Sequence, residues 1–341
     1  MDPQIIAAII GGVATVVAAV VAAVLGIRTG RRRGGTDSGV ASTQESPPQE
    51  ATPPKQSSRE LDATEGPPAK KEPQTHVVDP VEGDFATISE AIRAAAPKDK
   101  ILVRPGWYRE GLVVDKPLDI AGDGRSEDIV VLGDGKSALQ FSATTGRVRN
   151  MTLRQVNREA QIFAVTITQG RLTLTECDIS NRSLSGVGVY DGADPVLRGN
   201  RIHDNNQSGV YVYNNGLGVL EEDDIFANGS PGVAVIYGGN PVLHNNRIHN
   251  NQDGVHVYEA GKGTLEGNDI FANAYHGVEI REGGHPTVRD NRINENQQWA
   301  VRVYEQSSGT VEGNDLSGNA SGALSVSDDS ESNLIRNNNK T

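Results

Sequence analysis

The C-terminal part of the chain repeats itself about every 23 residues, and this period restricts the fold more than any other feature. Each unit contains a segment of the form Gly-Val-x-Val-x, and successive segments start 23, 23, 22, 23 and 23 residues apart. The segments begin at Gly186, Gly209, Gly232, Gly254, Gly277 and Ala300. Strict alternation of apolar and polar residues indicates a strand with one buried face. Repeats that stack in register predict a β-solenoid.

A second predicted strand, of the form Val-Leu-x-x-Asn-x-Ile, follows in each unit and carries asparagine at a fixed position. One predicted column is Asn200, Asn246, Asn268, Asn291, Asn314 and Asn337, with Cys177 and Asp223 in the two odd coils. The other is Asn205, Asn228, Asn251, Asn273, Asn296 and Asn319. Stacked amides hydrogen-bond to one another, so we interpret both columns as structural.

Charges alternate in sign along one outward column, which makes two coils the true repeating unit. The column is Arg201, Asp224, Arg247, Asp269, Arg292 and Asp315. Opposite charges on neighbouring strands attract, and a slip by one coil places like charges together. The alternation therefore favours a single register.

The predicted fold is all-β: a right-handed single-stranded parallel β-helix of roughly eleven coils over residues 76–341. A short helix precedes the repeats, because Thr87-Ile88-Ser89-Glu90 has the form of a capping box and an apolar stripe follows it. Pro97 ends that helix. We expect the helix to cover the open first coil, since solenoids require capped ends.

The N-terminal region predicts a membrane anchor followed by a disordered linker. Residues 1–34 contain the uncharged run Ile5–Ile27, long enough to span a bilayer, with Arg28 and three further arginines directly after it. The positive-inside rule then places the β-helix in the cytoplasm, as a single-pass membrane protein. Small residues four apart, such as Ala7 and Gly11, are compatible with self-association of the anchor. Residues 35–75 are rich in Ser, Thr, Pro, Glu and Gln.

Composition excludes several classes of function. The formal net charge is -12, which argues against a nucleic-acid partner. Cys177 is the single cysteine, so no intrachain disulfide forms and no cysteine-based metal site is indicated. The sequence predicts no cofactor.

Two stretches carry a resemblance to a known family. Gly83-Asp84-Phe85-Ala86-Thr87-Ile88-Ser89-Glu90-Ala91-Ile92 and Ile101 to Glu110 resemble the opening of pectin-lyase-like β-helix proteins, especially pectinesterases, as does Ile120-Ala121-Gly122-Asp123-Gly124. The later coils resemble the repeats of the NosD family and of F-box proteins with β-helix repeats. The resemblance implies the fold, and it implies polysaccharide chemistry as an expectation. The catalytic motifs of pectinesterases and polygalacturonases are missing after Gly124, so no catalytic residue carries over.

Outward positions of the first strand contain the candidate site residues. A ligand-stacking face is predicted at Tyr190, Tyr213, Tyr258, Arg281 and Tyr304, with a purely structural aromatic ladder as the alternative. Acid–base chemistry is conceivable only at His256, Glu279 and Arg302. A calcium ion is conceivable at Glu259, Glu282 and Glu305, although stacked exposed carboxylates usually face water.

Two functions remain open on the sequence alone. The first is a non-enzymatic, membrane-anchored binding or scaffold module that presents an elongated tyrosine and acidic face to an unknown protein or ligand. The second is a carbohydrate-active or polysaccharide-binding protein of the pectin-lyase-like class (hydrolase, lyase or esterase) that works outside the cytoplasm. The missing catalytic motifs favour the first.

Overall fold

A computed structural model describes residues 72–341 of the chain. These residues form a right-handed parallel β-helix of about 11 turns, as the repeat predicts. The predicted anchor Ile5–Ile27 and most of the linker lie outside the described residues. Within residues 72–341, no helix has the length and apolar character needed to cross a membrane.

The strands of residues 72–341 belong to three parallel sheets, and each coil contributes one strand to each sheet over most of the rod. The 12-stranded sheet contains Thr75–Val78, Lys100–Val103, Asp119–Gly122, Thr145–Arg149, Arg171–Thr175, Val196–Arg198, Val219–Glu221, Val242–His244, Thr264–Glu266, Thr287–Arg289, Gly309–Glu312 and Leu334–Asn337. The 9-stranded sheet contains Gly106–Tyr108, Ile129–Gly133, Thr152–Gln155, Asp178–Asn181, Arg201–His203, Asp224–Phe226, Arg247–His249, Asp269–Phe271 and Arg292–Asn294. The 10-stranded sheet contains Leu112–Val114, Leu139–Phe141, Val165–Ile167, Val187–Val189, Val210–Val212, Val233–Val235, Val255–Val257, Val278–Ile280, Trp299–Val303 and Gly322–Val326.

The predicted second strand of each coil is in fact two strands, which is a correction to the sequence interpretation. In one coil Val196–Arg198 and Arg201–His203 belong to different sheets, separated by Gly199 and Asn200. Gly199 has a φ of 63°, and the equivalent Glu222 has a φ of 56°. A left-handed residue turns the chain by a sharp angle, so one extended segment cannot continue through it.

Apolar side chains fill the interior of the rod in columns. The valines of the repeated Gly-Val-x-Val-x segment and the isoleucines of the following strand are buried, as the alternation predicts. Val187, Val210, Val233, Val255, Val278 and Val301 form one inward column, each 0% exposed. Because every strand pairs in register with its equivalent in the next coil, like residues stack on like residues.

Two buried asparagine columns connect the coils. In the first, Asn246 accepts a hydrogen bond from the backbone N–H of Asp223 at 3.0 Å, and its Nδ2 donates to Asn268 Oδ1 at 2.9 Å and to the Leu220 carbonyl at 2.8 Å. Each amide thus satisfies its own coil and the next one. The column continues from Asn314 to Asn339, so the predicted last member, Asn337, is wrong. Asn337 lies in a strand, opposite Glu312.

Short helices lie at both ends of the described region. The first begins at Ile88 and ends at Ala94, and Thr87 and Glu90 form the predicted capping box. Its buried Ile88, Ala91 and Ile92 join the core of the rod. A one-turn 3₁₀ helix spans Ser126–Asp128, and a second α-helix, Asp328–Glu331, precedes the last strand.

We expect Asn273→Ala to destabilise the fold by about 2–4 kcal/mol, because buried partners on both sides of the column lose their hydrogen bonds. Asn273 is fully buried, accepts from the Asn251 backbone N–H at 3.0 Å and donates to Asn296 at 2.9 Å. Urea unfolding measures the change. The matched control is Asn206→Ala, at an exposed position with one hydrogen bond to Ser183. Equal losses in the two variants would contradict a special role for the column.

Candidate functional site

The outer face of the 10-stranded sheet carries the residues that the sequence singled out. The predicted column is confirmed by the register of the strands: it runs Gly188, Tyr211, Ala234, His256, Glu279, Arg302. Parallel in-register pairing places equivalent side chains of neighbouring coils about 5 Å apart. His256, Glu279 and Arg302 are therefore direct neighbours, as predicted.

Tyr190 and Tyr213 pack as an aromatic ladder. Their rings stack with centroids 4.8 Å apart, and the residues are only 9% and 8% exposed. Together with Ile236 they form a second apolar cluster outside the rod's interior, against which Phe163, Tyr211 and Tyr258 pack. Rings covered in this way offer little surface to a ligand, so at this end of the face the geometry matches the structural alternative.

Tyr258 and Tyr304 differ from Tyr190 and Tyr213 in that each lies beneath an arginine. The guanidinium carbon of Arg281 is 5.1 Å from the centre of the Tyr258 ring, and that of Arg302 is 4.6 Å from the Tyr304 ring. The ring contact and neighbouring polar groups hold each guanidinium in place. Arg281 donates from Nη1 to Glu282 Oε1 at 2.5 Å, so a ligand carboxylate at Arg281 would bind to its remaining N–H groups or displace Glu282. Both arginines and both tyrosines are only partly buried.

A chain of three neighbouring ionisable groups, Tyr304, Glu279 and His256, lies beside these arginines. The Tyr304 hydroxyl donates to Glu279 Oε1 at 2.8 Å, and Glu279 Oε2 is 3.2 Å from His256 Nε2. Arg281 Nε donates to the same His256 nitrogen at 2.9 Å. That nitrogen has a single lone pair in the ring plane, so Arg281 and any proton on Glu279 compete for it. The chain can therefore hold a proton at more than one place.

We call the group formed by Tyr304, Glu279, His256, Arg281 and Arg302 the charged cluster. It has two further members, His276 and Asp253, which the sequence interpretation missed. His276 accepts from the Trp299 backbone N–H at its Nδ1 (3.3 Å), and its Nε2 is 3.4 Å from Arg302 Nη1. Asp253 accepts from the His276 backbone N–H at 2.8 Å. Both residues stand just before the alternating segment, where the period-2 pattern assigns no face. Their spacing of 23 residues, which is one coil, is the sequence signal that could have identified them as neighbours.

Burial keeps these histidines neutral and raises the pKa values of the two acids. Burial, then the charge of Arg281, lowers the pKa of His256 to about 3, and burial, then Arg302, lowers the pKa of His276 to about 4. Burial, then the charge of Glu279, raises the pKa of Asp253 to about 7. Burial also raises the pKa of Glu279 against the opposing effect of its hydrogen bond from Tyr304. The cluster thus combines neutral bases and weakened acids with two permanent cations.

Among residues 72–341, Asp253, His256 and Glu279 form the one group of three metal-ligating side chains whose donor atoms all lie within 4.8 Å of one another. Arg281 already donates to His256 in that group, and a bound cation would have to displace it. The three residues of the predicted calcium column lie at turns. Glu259, Glu282 and Glu305 have left-handed backbone with φ values of 46°, 49° and 57°.

The 9-stranded sheet carries a second ionic column, and this one is repetitive. His203 Nε2 and Arg201 Nη1 both lie 3.0 Å from Asp178 Oδ2, and His203 Nδ1 lies 2.8 Å from Asp204. His249 and Asp224 repeat the contact two coils later at 3.0 Å. The histidines stack with phenylalanines in the column His203, Phe226, His249, Phe271. This arrangement follows the two-coil period, which is typical of a structural ladder.

Comparison with known families assigns a β-helix to most of the described region. The family model "Right handed beta helix region" matches residues 137–260 and 218–339. These matches together cover more than half of the chain. No curated protein matches the sequence.

Solved structures with a similar fold include enzymes that act on polysaccharides. The A-module of the mannuronan C-5 epimerase AlgE4 from Azotobacter vinelandii is 17% identical, with a TM-score of 0.61, over 78% of this chain and 95% of that chain. The AlgE6 A-module of the same organism is 16% identical, with a TM-score of 0.55, over 74% and 90%. An alginate lyase from Paenibacillus sp. str. FPU-7 is 13% identical, with a TM-score of 0.54, over 79% and 99%. At these identities the likeness shows the fold alone.

We expect the His256 and His276 rings to stay neutral between about pH 8 and pH 5. The His203 ring should take up its proton at a pH above the ordinary pKa of histidine. Burial lowers the pKa of His203, but hydrogen bonds to Asp178 and Asp204 outweigh it and raise that pKa. Ring proton NMR with labelled histidine measures all three.

The same groups affect stability in opposite directions. A depressed pKa in the folded state means that the unfolded chain binds the proton first, so His256 removes stability as the pH falls from about 6.5 towards 3. His203 does the reverse, and the stability it adds is lost as the pH rises through its raised pKa. Titration of His256 at an ordinary value would contradict the described burial.

Proposed function

Because the chain belongs to the right-handed β-helix family, in which a shared fold serves many activities, we propose a function from its site: residues 72–341 bind an anionic polysaccharide on the outer face of the 10-stranded sheet. The observation that carries this proposal is the pair Arg281 and Arg302. The guanidinium carbon of each arginine lies over a tyrosine ring, 5.1 and 4.6 Å from the ring centre, on adjacent coils of one face.

The chemistry of the two arginines suits sugar carboxylates. A guanidinium offers a planar set of N–H donors that matches a carboxylate, and stacking on a ring reduces the entropy lost when it binds. Adjacent coils are about 5 Å apart, close to the length of one sugar unit in an extended polymer. A chain lying along the rod therefore brings successive carboxylates past Arg281 and Arg302.

The structural neighbours give independent support for the polysaccharide class. By their names they epimerise mannuronan or degrade alginate, both of which are polymers of acidic sugars. This supports the carbohydrate alternative over the scaffold that the sequence favoured. Of the four tyrosines predicted to contact a ligand, we keep Tyr258 and Tyr304 as candidates, since Tyr190 and Tyr213 are mostly buried.

We expect purified protein to bind alginate or polygalacturonate oligosaccharides, and not neutral dextran, with a salt-dependent affinity. Arg281→Gln and Arg302→Gln should each weaken binding about tenfold or more, because each removes a charge-assisted hydrogen bond. Calorimetric titration measures the affinities. The matched control is Arg247→Gln: Arg247 also lies over a ring, 5.6 Å from Phe271, but on the 9-stranded sheet. Equal losses in all three variants, or equal binding of dextran, would refute the site.

Topology separates the two functions. The arginines after Ile27 predict a cytoplasmic β-helix, whereas a polysaccharide outside the cell requires the opposite orientation. Reporter fusions at the C-terminus report the location in cells. A β-helix domain that is cytoplasmic and binds none of the acidic polymers would favour the scaffold function. A β-helix domain outside the cytoplasm would rule out the scaffold function.

A second candidate function, proton exchange at a sugar carbon, is favoured by the chain Tyr304, Glu279, His256. Removing a proton from the carbon beside a carboxylate leaves negative charge on that carboxylate, which a nearby guanidinium stabilises. Tyr304 is the partly exposed end of the chain, and Glu279 and His256 lie behind it. As the tyrosine oxygen takes the proton from the sugar carbon, the Tyr304 hydroxyl would pass its own proton to the ionised carboxylate of Glu279. A proton delivered by water to the opposite face of that carbon would give an epimer. Alternatively, the carbanion would expel the neighbouring glycosidic oxygen, which would leave with the proton held by Tyr304, and an unsaturated sugar would form.

We expect any such activity to appear as deuterium incorporation from deuterated water, or as ultraviolet absorbance of an unsaturated product. Tyr304→Phe should lower the rate at least about a hundredfold while leaving affinity nearly unchanged, since general acid–base groups contribute that much. Tyr237→Phe, at an exposed tyrosine of the same face, is the control. Protein that binds the polymers without exchange or cleavage would leave binding as the function of the site.

A further inference from the structure

The first asparagine column contains one acid, Asp223, at a position that is 1% exposed. Its Oδ1 accepts from the backbone N–H of Asn200 at 2.8 Å and from Asn200 Nδ2 at 2.9 Å. Its own backbone N–H donates to Asn246 Oδ1 at 3.0 Å. In these three bonds Asp223 behaves as an asparagine would.

The second carboxyl oxygen behaves differently. Asp223 Oδ2 is buried and has no hydrogen-bond partner. It takes the place of the amide nitrogen, which elsewhere donates to the next column member and to a strand carbonyl: Asn246 Nδ2 bonds Asn268 Oδ1 at 2.9 Å and Leu220 O at 2.8 Å. By the same register, Asp223 Oδ2 is directed at Asn246 Oδ1 and the Leu197 carbonyl. Both of these are acceptors, so an ionised carboxylate meets oxygen on both sides.

We propose that Asp223 is a proton-operated weak point of the rod: when protonated it completes the asparagine column by donating Oδ2–H to Asn246 or to Leu197, and when ionised it breaks the column between two coils. The break lies between the coils with the buried Tyr190 and Tyr213 ladder and the coils with the charged cluster. This inference is independent of the proposed polysaccharide function.

The charged groups near Asp223 all point outward and do not pair with it. Glu221, Glu222 and Asp224 stand on its own coil, and side chains on the two neighbouring coils engage them from outside. Arg198 on the coil before pairs with Glu221 and Glu222, and His244 and Arg247 on the coil after pair with Glu221 and Asp224. Arg201, also on the coil before, pairs with Asp178 instead. All have side chains between 31% and 58% exposed. Among them Glu221 adds to the pKa of Asp223, which burial already raises to about 7.

The direction of the pH effect on stability follows from the raised pKa of Asp223. An aspartic acid with a raised pKa binds its proton more tightly in the folded chain than in the unfolded chain, whose value is 3.8. The stability it adds is complete below about pH 4 and is lost as the pH rises towards 7. Asp223→Asn restores an amide at the same position and removes this dependence.

The test compares urea unfolding of the full-length protein and Asp223→Asn across pH 4 to 9. The ratio of their unfolding constants should change by roughly a thousandfold between pH 4 and 8, with the variant more stable at the alkaline end. Asp115→Asn, at an exposed aspartate, should show no such change.

Infrared spectroscopy provides a second readout that does not depend on unfolding. The difference spectrum of parent minus Asp223→Asn should show the carbonyl band of a protonated carboxyl at pH 5, and the band should disappear by pH 9. A ratio of unfolding constants that stays flat with pH, or a difference spectrum without this band at pH 5, would overturn the proposal.

Discussion

The hydrogen bonds of the two buried asparagine columns are the interaction on which the described rod depends. A parallel β-helix must turn its chain three times per coil inside a narrow cross-section, and each turn leaves backbone groups without a strand partner. The asparagine amide supplies both a donor and an acceptor at those points. In the second column Asn251 donates to Asn273 Oδ1 with its backbone N–H at 3.0 Å, and its side chain donates to the Ile225 carbonyl at 3.0 Å. Without such bonds the turns would bury unsatisfied polar groups at high cost.

The sequence predicted those parts of the structure that obey its period. A solenoid places residues 23 apart on top of one another, so the sequence alone predicts that His256, Glu279 and Arg302 lie on successive coils of one column. The sequence pattern did not predict that the second strand of each coil divides into two strands of different sheets. Glu222 takes a left-handed conformation that glutamate seldom adopts, and the surrounding coil imposes it against local preference.

Chemistry at the charged cluster arises from the way stacking confines side chains. On a flat outer face, residues in adjacent coils cannot avoid one another, and the ladder imposes proximity on charges that free side chains would separate. Arg281 and His256 are in contact between adjacent coils for this reason, and the resulting desolvation keeps the histidine neutral. The sequence predicted the order of these residues along the face, but it did not predict their burial or the hydrogen bonds that join Asp253, His276 and the Trp299 backbone N–H beside them.

The alternating charges described on the 9-stranded sheet limit how such a rod can change its length. Arg201, Asp224 and Arg247 succeed one another in adjacent coils, with Asp224 3.3 Å from Arg247. Deleting or duplicating one coil would place two residues of the same charge side by side, whereas a change of two coils would preserve every neighbour. The charge pattern therefore favours rods whose lengths differ by pairs of coils, because only such a change keeps every attractive contact of this column.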